Sequence, residues 1–291
     1  MGPVSRQVPS AGSALLEFRK VSAHYGRARS GVRLGRLSGS IPTSHEHDLE
    51  SAVLKDVDLV VRLGECVGIV GESGSGKTTL GKCIVGLMPI SSGELSFMGA
   101  VVGKPGKAAS LPRVNGVQMV YQDPYSALNP KRTVGSTLRE ILAVHRLCPR
   151  SQVGERAEEL LEAVGLSADV MKRRPRSLSG GMCQRVAIAR ALAFSPAVLV
   201  ADEIVSALDA SVQAQVLNLI ADTLAAGKLS VVFVTHDLAV VNQVCDRVIV
   251  LHRGVVVESG TPAEILRNPA DPYTQSLIEA VPELAGDVWQ R

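Results

Sequence analysis

The sequence predicts an α/β protein with a buried sheet, an antiparallel β edge and a helical insertion near residues 130–175. Two short apolar segments, 198–200 and 231–234, do not alternate with polar residues, as expected of strands covered on both faces. Segments with apolar residues at helical spacing lie between the predicted strands, which is typical of crossover connections in a parallel sheet.

Each element follows from its local pattern. We predict strands at residues 14–25, 52–61, 65–70, 94–98, 116–121, 197–201, 230–235, 247–251 and 255–258. The first alternates apolar and polar residues, which we interpret as an edge strand. We predict helices at 76–87, over much of 134–171, at 180–194 and at 211–226, with a short helix after residue 235.

The segment 27–51 interrupts this pattern and is predicted to be a long loop. Its His45-Glu46-His47 triplet places two histidines where they could touch a metal. With no third ligand nearby in sequence, an exposed polar loop is the favoured interpretation.

Composition limits the classes of partner. The 291 residues suffice for one large domain, with or without a small appendage. Lys and Arg number 31 against 28 Asp and Glu, too small an excess to indicate a nucleic-acid partner. Five cysteines without C-x-x-C spacing favour a reducing compartment. No apolar run approaches the ~18 residues of a membrane span, so we expect a cytosolic protein.

A phosphate-binding loop is the first motif that carries chemistry. The residues Gly71-Glu72-Ser73-Gly74-Ser75-Gly76-Lys77-Thr78 match G-x-x-x-x-G-K-[ST] between a predicted strand and helix. Glycines turn backbone N–H groups toward phosphates, and the helix N-terminus adds positive potential. We expect Lys77 to reach the β- and γ-phosphates and the Thr78 hydroxyl to bind Mg²⁺. The alternative, a glycine-rich turn matching by accident, fits this context poorly.

Two acidic residues, Asp202 and Glu203, end a predicted buried strand. Burying a carboxylate pair is costly without a compensating cation or hydrogen bonds. A Mg²⁺ beside the phosphates would compensate Asp202, and Glu203 would then polarise the attacking water. The alternative is that the strand ends at the surface and both acids are solvated.

Further motifs resemble those of ABC ATPases, in the family's order. The segment 178–182, Leu-Ser-Gly-Gly-Met, looks like the LSGGQ signature, and 206–209 looks like the D-loop. Gln122 matches the Q-loop glutamine, and His236 matches the switch histidine. Tyr25 lies where the family has an adenine-stacking aromatic, although it could be an ordinary strand tyrosine. Alone, the signature could be a helix cap and turn; the ordered set indicates the family.

The resemblance implies ATP and Mg²⁺ as cofactors. It places Lys77, Gln122, Glu203 and His236 in catalysis, and Thr78, Gln122 and Asp202 around Mg²⁺. The nucleotide-binding residues it implies are Tyr25, Gly71, Glu72, Ser73, Gly74, Ser75, Gly76, Lys77, Thr78, Thr79, Ser179, Gly180, Gly181 and Asp209.

Two stretches resemble one branch, the ATPases of peptide and nickel importers. Residues 122–130 (QDPYSALNP) are similar to the branch's QDPYSSLNP, and 268–275 (NPADPYTQ) to its C-terminal NPxHPYTQ. Asp271 replaces the usual His, Met182 the signature Gln, and Ile204 the usual Pro. We expect an ATPase domain at 14–268, with its helical subdomain at about 130–178, and a tail at 269–291.

The resemblance also implies an assembly. Two ATPase chains would meet head to tail, with each nucleotide between the loop of one chain and the signature of the other. We expect a paralogous second chain, with a homodimer as the open alternative. Two membrane permeases, an external binding protein acting indirectly, and no nucleic acid complete the expected partners, at the cytoplasmic face of the inner membrane. A soluble complex such as the carbon–phosphorus lyase machinery is the main alternative; a DNA-repair ATPase and an exporter fit less well.

Overall fold

The computed structural model describes residues 13–24, 52–112, 114–206, 208–227 and 229–280. The predictions made on Tyr25, on the segment 27–51 and on residues 281–291 lie outside the described residues.

The strands in the described part of the chain form two sheets. They are β1 (Ala14–Ala23), β2 (Leu54–Arg62), β3 (Cys66–Val70), β4 (Ser92–Phe97), β5 (Ala100–Gly103), β6 (Val117–Val120), β7 (Val198–Asp202), β8 (Ser230–Val234), β9 (Arg247–His252) and β10 (Val255–Gly260). A six-stranded sheet has the order β10-β9-β3-β8-β7-β6, and a four-stranded sheet the order β2-β1-β4-β5. The larger sheet is parallel except for β10, which runs antiparallel to β9.

The prediction that the first strand is an edge strand is wrong. β1 lies inside the antiparallel sheet, where Phe18 is paired with Leu59 of β2 and with Leu95 of β4. Alternation along a strand shows how its two faces are buried, but it does not show how many neighbours the strand has. The antiparallel pairing itself agrees with the expected β edge.

The helices alternate with the parallel strands. They are α1 (Lys77–Ile84), α2 (Val134–Val144), α3 (Val153–Ala163), α4 (Gly180–Leu192), α5 (Ala210–Ala225), α6 (Leu238–Val244), α7 (Pro262–Arg267) and α8 (Pro272–Glu279). Sequence analysis missed β5, α7 and α8. α7 begins with a capping box, in which the Thr261 hydroxyl accepts from the Glu264 N–H and the Glu264 carboxylate accepts from the Thr261 N–H.

The six-stranded sheet separates two apolar cores. On β3, Val67 and Ile69 face the β core, which the antiparallel sheet and α1 complete. Cys66 and Val70 face the opposite, helical core, which is formed with α2 to α6. Successive side chains of a strand point to opposite faces, so burial on both faces explains the uninterrupted apolar runs.

The predicted helical insertion is present. α2 and α3 pack together through the fully buried Leu138, Leu142 and Leu161. The Thr133 hydroxyl caps α2 by accepting from the Ser136 N–H at 3.2 Å. The prediction of helix over much of residues 134–171 is therefore confirmed by α2 and α3.

The five cysteines are free thiols, and four of them are buried. The Sγ atoms of Cys66 and Cys245 lie 3.7 Å apart in the helical core. Cys83, on α1, belongs to the β core, where burial raises its pKa to about 12. Cys183, on α4, belongs to the helical core, and burial raises its pKa as well. The four buried thiols therefore belong to the two apolar cores.

Candidate nucleotide site

The predicted phosphate loop joins β3 to α1 and needs glycine at two positions. Gly71 has a φ of +151°, and a Cβ there would lie 2.2 Å from the Leu251 carbonyl oxygen. Gly76 has a φ of +109°, and its Cβ would lie 2.9 Å from the carbonyl oxygen of Val53. Glycine is therefore required at both positions by conformation and by space.

The Lys77 ammonium lies within the curve of this loop. Its Nζ donates to the carbonyl oxygens of Gly71 and Glu72, at 2.7 Å each. The residue is only 5% exposed, and burial lowers the pKa of the ammonium. The loop thus holds a desolvated cation beside its own backbone.

Thr78 and Asp202 come together where α1 begins and β7 ends. The Thr78 hydroxyl donates to Asp202 Oδ1 at 3.2 Å. Asp202 is 5% exposed, and burial raises the pKa of its carboxyl. Hydroxyl and carboxylate oxygens suit Mg²⁺, and a cation would offset the buried charge. The described residues contain no cluster of three or more His, Cys, Asp or Glu able to hold a metal.

Glu203 follows Asp202 in a backbone conformation that is rare for a non-glycine residue. Its φ is +49°, and its N–H donates to the Val234 carbonyl at 2.9 Å. Its Oε1 lies 3.5 Å from Nδ1 of His236, whose side chain is 59% exposed. Such conformations persist where the surrounding structure imposes them, commonly at functional sites. The structure thus brings together two residues that the family resemblance implied for catalysis.

Gln122 is linked to this cluster through a serine. Its Nε2 donates to the Ser206 hydroxyl at 3.3 Å, and that hydroxyl donates to the Glu203 carbonyl at 2.9 Å. Within the described residues, Gln122 makes no hydrogen bond to Thr78 or Asp202, the other metal ligands we expected. Ser206 was not singled out from the sequence as a bridging residue.

A cavity of about 370 Å³ lies over the phosphate loop. It is lined by Val53, Ser73, Gly74, Gly76, Lys77, Thr78, Thr79 and Glu203. Seven of these eight residues were predicted for the site. Val53 was not, because an apolar residue before a strand carries no sequence signal for ligand binding.

The signature segment begins α4 with a hydrogen bond inside its own helix start. The exposed Ser179 caps α4, with its hydroxyl accepting from the Met182 N–H at 3.3 Å. The Asp209 carboxylate caps α5 in the same way, accepting from the Val212 N–H at 3.0 Å. A Cβ on Gly181 would lie 2.1 Å from Val212 Cγ1, so the starts of α4 and α5 are in close contact. No hydrogen bond joins the described signature residues to the phosphate loop.

A C-terminal tyrosine that we did not predict for the site contacts the phosphate loop. The Glu72 N–H donates to the Tyr273 hydroxyl oxygen at 2.9 Å. The tyrosine ring lies against His252, with centroids 3.8 Å apart. Tyr273 belongs to the 268–275 stretch, which sequence analysis used only to assign a branch.

Comparison with known families and proteins identifies this arrangement. The family model "ABC transporter" matches residues 54–206, a range that includes the phosphate loop, the signature segment and the two acids. The chain belongs to the ABC transporter family. It is therefore an ATP-binding protein and an ATPase. A second model, "Oligopeptide/dipeptide transporter, C-terminal region", matches residues 257–289.

Curated relatives of this ABC ATPase include proteins of Brucella. One from Brucella abortus (strain 2308), named as a peptide import ATP-binding protein, is 43% identical over 255 residues, 86% of this chain and 76% of the relative. Another from Brucella ovis, with the same kind of name, is 41% identical over 239 residues, 81% of this chain and 75% of the relative. Both alignments span most of each chain.

Solved structures share the fold of this ATPase. CbiO1 from Clostridium perfringens, described as part of the ABC transporter complex CbiONQ, superposes with a TM-score of 0.70 at 23% identity, covering 88% of this chain and 91% of that one. A dimeric, post-hydrolysis structure of the ATP-binding cassette MJ0796 with ADP and Pi gives a TM-score of 0.66 at 28% identity, covering 85% and 98%. None of the described helices is long and apolar enough to cross a membrane.

Proposed function

We propose that this ATPase energises an importer of peptides, or of nickel or a related small cargo. The observation that carries the proposal is the match of residues 257–289 to the oligopeptide/dipeptide transporter C-terminal region. That region follows an ATPase domain whose relatives are named as peptide import proteins at 43% identity. The same match favours transport over a soluble enzyme complex.

The loop and its neighbours supply the chemistry on the nucleotide bound by the same chain. Lys77 and the loop N–H groups bind the phosphates, because a desolvated ammonium at a helix N-terminus attracts phosphate oxygens. Thr78 and Asp202 hold Mg²⁺, which neutralises charge on those oxygens when it is bound. Gln122 remains a further proposed metal ligand.

Glu203 polarises the attacking water, and His236 orients it. Glu203 lines the loop cavity, and its Oε1 lies 3.5 Å from His236 Nδ1, so a water beside the γ-phosphate can contact both side chains. Ser206 bonds both to Gln122 and to the Glu203 carbonyl, so a movement of Gln122 would be transmitted to the backbone of Glu203.

The second half of each site comes from another ATPase chain. Ser179, Gly180 and Gly181 begin α4, where free N–H groups and the helix dipole favour an anion. Because this segment makes no hydrogen bond to the described phosphate loop of its own chain, we propose that it meets the γ-phosphate held by the partner. A paralogous chain fits this arrangement, and a second copy is the alternative.

The ATPase pair would work with membrane subunits. Closure of the pair would be transmitted to two permease subunits at the cytoplasmic face of the membrane, and an external binding protein would supply the cargo. Residues 14–268 would form the ATPase domain, with the helical subdomain at about 130–178, and 269–291 the tail.

Stimulation of ATP hydrolysis by cargo tests the proposed import. The chain is purified with its second ATPase and permeases in vesicles, and hydrolysis is measured with the binding protein and either a peptide mixture or Ni²⁺. We expect stimulation by one cargo, and none with the Glu203→Gln chain. A chain that copurifies with soluble enzymes and not with permeases would contradict the proposal.

A further inference from the structure

One peptide group of the phosphate loop is held on both sides. The Gly71 carbonyl accepts from Lys77 Nζ at 2.7 Å, while the N–H of the same peptide, on Glu72, donates to the Tyr273 hydroxyl at 2.9 Å. Two residues that lie far apart in sequence thus fix the orientation of a single peptide plane at the start of the loop.

Tyr273 is itself firmly placed. Its ring packs on His252 at the end of β9. The Asp271 carboxylate caps α8 and accepts from the Tyr273 N–H at 2.8 Å. The Glu258 carboxylate on β10 accepts from the N–H groups of Ala270 and Asp271, at 2.9 and 3.1 Å. The sheet therefore anchors the segment that presents the hydroxyl.

The Tyr273 hydroxyl does not occupy the nucleotide cavity. The residues that line the cavity over the loop begin at Ser73 on this side and do not include Glu72. The bond between the Glu72 N–H and Tyr273 therefore joins two residues that do not line this cavity.

We propose that Tyr273 is a positioning residue for the phosphate loop, through which the C-terminal segment 268–280 is coupled to nucleotide binding. The inference rests on the proposed role of Lys77. The Lys77 ammonium has three N–H donors, and two of them bind the Gly71 and Glu72 carbonyls. If the donor on Gly71 shifts to a phosphate oxygen, the bond from the Glu72 N–H to Tyr273 still holds the same peptide.

Coupling of this kind is reciprocal. If the Tyr273 hydroxyl tightens nucleotide binding by some factor, bound nucleotide tightens the docking of α8 by the same factor. A single hydrogen bond of ordinary net strength corresponds to about a threefold to tenfold change in an equilibrium constant.

The test compares three variants of the full chain by equilibrium titration with ADP, which is not hydrolysed. Tyr273→Phe removes only the hydroxyl, Tyr273→Ala removes the ring as well, and Glu279→Ala truncates an exposed side chain at the end of α8 as the control. We expect the Kd to rise about threefold to tenfold in both Tyr273 variants and to stay unchanged in the control. In the assembled complex, Tyr273→Phe should raise KM for ATP by the same factor with kcat within about twofold.

Hydrogen exchange of the α8 amides provides the second measurement. ADP should slow their exchange in the wild-type chain by about the same factor and leave it unchanged in Tyr273→Phe.

Three results would overturn the inference. An unchanged Kd in Tyr273→Phe with a raised Kd in Tyr273→Ala would assign the effect to ring packing on His252. A large fall in the Tm of nucleotide-free Tyr273→Phe would indicate general destabilisation. Failure of the wild-type chain to bind ADP would reject the nucleotide site itself, which separates that failure from the failure of the coupling.

Discussion

The phosphate-loop region and the signature region differ in how they are completed. Around the loop, the adjacent Asp202 and Glu203 at the end of β7 each meet a residue from another part of the chain. The Thr78 hydroxyl donates to Asp202 at 3.2 Å, and His236 lies 3.5 Å from Glu203. At the signature, Ser179 only caps its own helix and stays exposed. The residues of the first region come together within one chain, whereas the second region exposes the N-terminus of α4. This difference motivates the proposal that each nucleotide site is shared between two chains.

The loss of the Glu203 carboxylate should give the largest effect. Glu203→Gln keeps the shape of the side chain but removes the group that polarises water, so we expect kcat to fall by ~10²–10⁴. Nucleotide affinity should stay near that of the wild type, as measured by equilibrium titration. Near-normal turnover would show that another group activates the water, and Lys77→Ala, which should lose tight nucleotide binding, serves as the contrasting variant.

The arrangement of two lesions tests whether the sites are shared between chains. When one chain carries Lys77→Ala and the other chain carries a mutation of its signature serine, both changes fall in the same shared site. The second shared site then stays intact. With Lys77→Ala and Ser179→Arg in the same chain beside a wild-type partner, both sites are damaged.

We expect the first arrangement to hydrolyse ATP at least about tenfold faster, because donors must be preorganised around each γ-phosphate. Equal rates in the two arrangements, or full activity of the isolated chain at high dilution, would refute shared sites.

The contact between the two helix starts gives a smaller, structural effect. In Gly181→Ala the new Cβ would meet Val212 Cγ1 at 2.1 Å. Overpacking of this kind costs ~1–3 kcal/mol, so the Tm should fall by a few degrees for each kcal/mol.

The control is Gly180→Ala, where no atom lies within 4 Å of the added Cβ. It should leave the Tm unchanged, and Val212→Ala should restore the Tm of Gly181→Ala. A loss of Tm at position 180 as large as that at 181 would contradict the packing described here.

The smallest expected effect on stability concerns the cost of burying Asp202. Its pKa is raised in the folded chain, so ionisation of Asp202 opposes folding of the nucleotide-free protein above that pKa. Asp202→Asn should therefore raise the Tm at pH 7 while hydrolysis is lost. The difference in Tm should shrink as the pH falls toward the unfolded value of 3.8, where the cost disappears. A lower Tm for Asp202→Asn at pH 7 would contradict the assigned cost.

The loop and the acids could be predicted because their signals are local. The loop Gly71 to Thr78 has a fixed residue pattern and lies between a strand and a helix. Both the pattern and its flanking elements can be recognised in a short stretch of sequence. The internal position of β1 could not be predicted, because strand order depends on pairing with residues that are distant in sequence. The contact between Tyr273 and Glu72 spans 201 positions and follows no periodic pattern.

The two missed helices near the C-terminus did have a local signal. Thr261, Pro262 and Glu264 form a capping box with proline at the first helical position. Asp271 and Pro272 begin α8 in a similar way. These starts went unrecognised because each helix is too short to show a clear apolar periodicity.

The buried thiols place an internal reporter in each half of the molecule. Cys83 lies in the β core and Cys183 in the helical core, and burial keeps both protonated and unreactive. The rate at which a thiol reagent labels each of them therefore measures how often its own core opens. Equal rates would mean that the two cores open together. A nucleotide on the loop that slows labelling of Cys83 more than that of Cys183 would mean that α1 opens on its own.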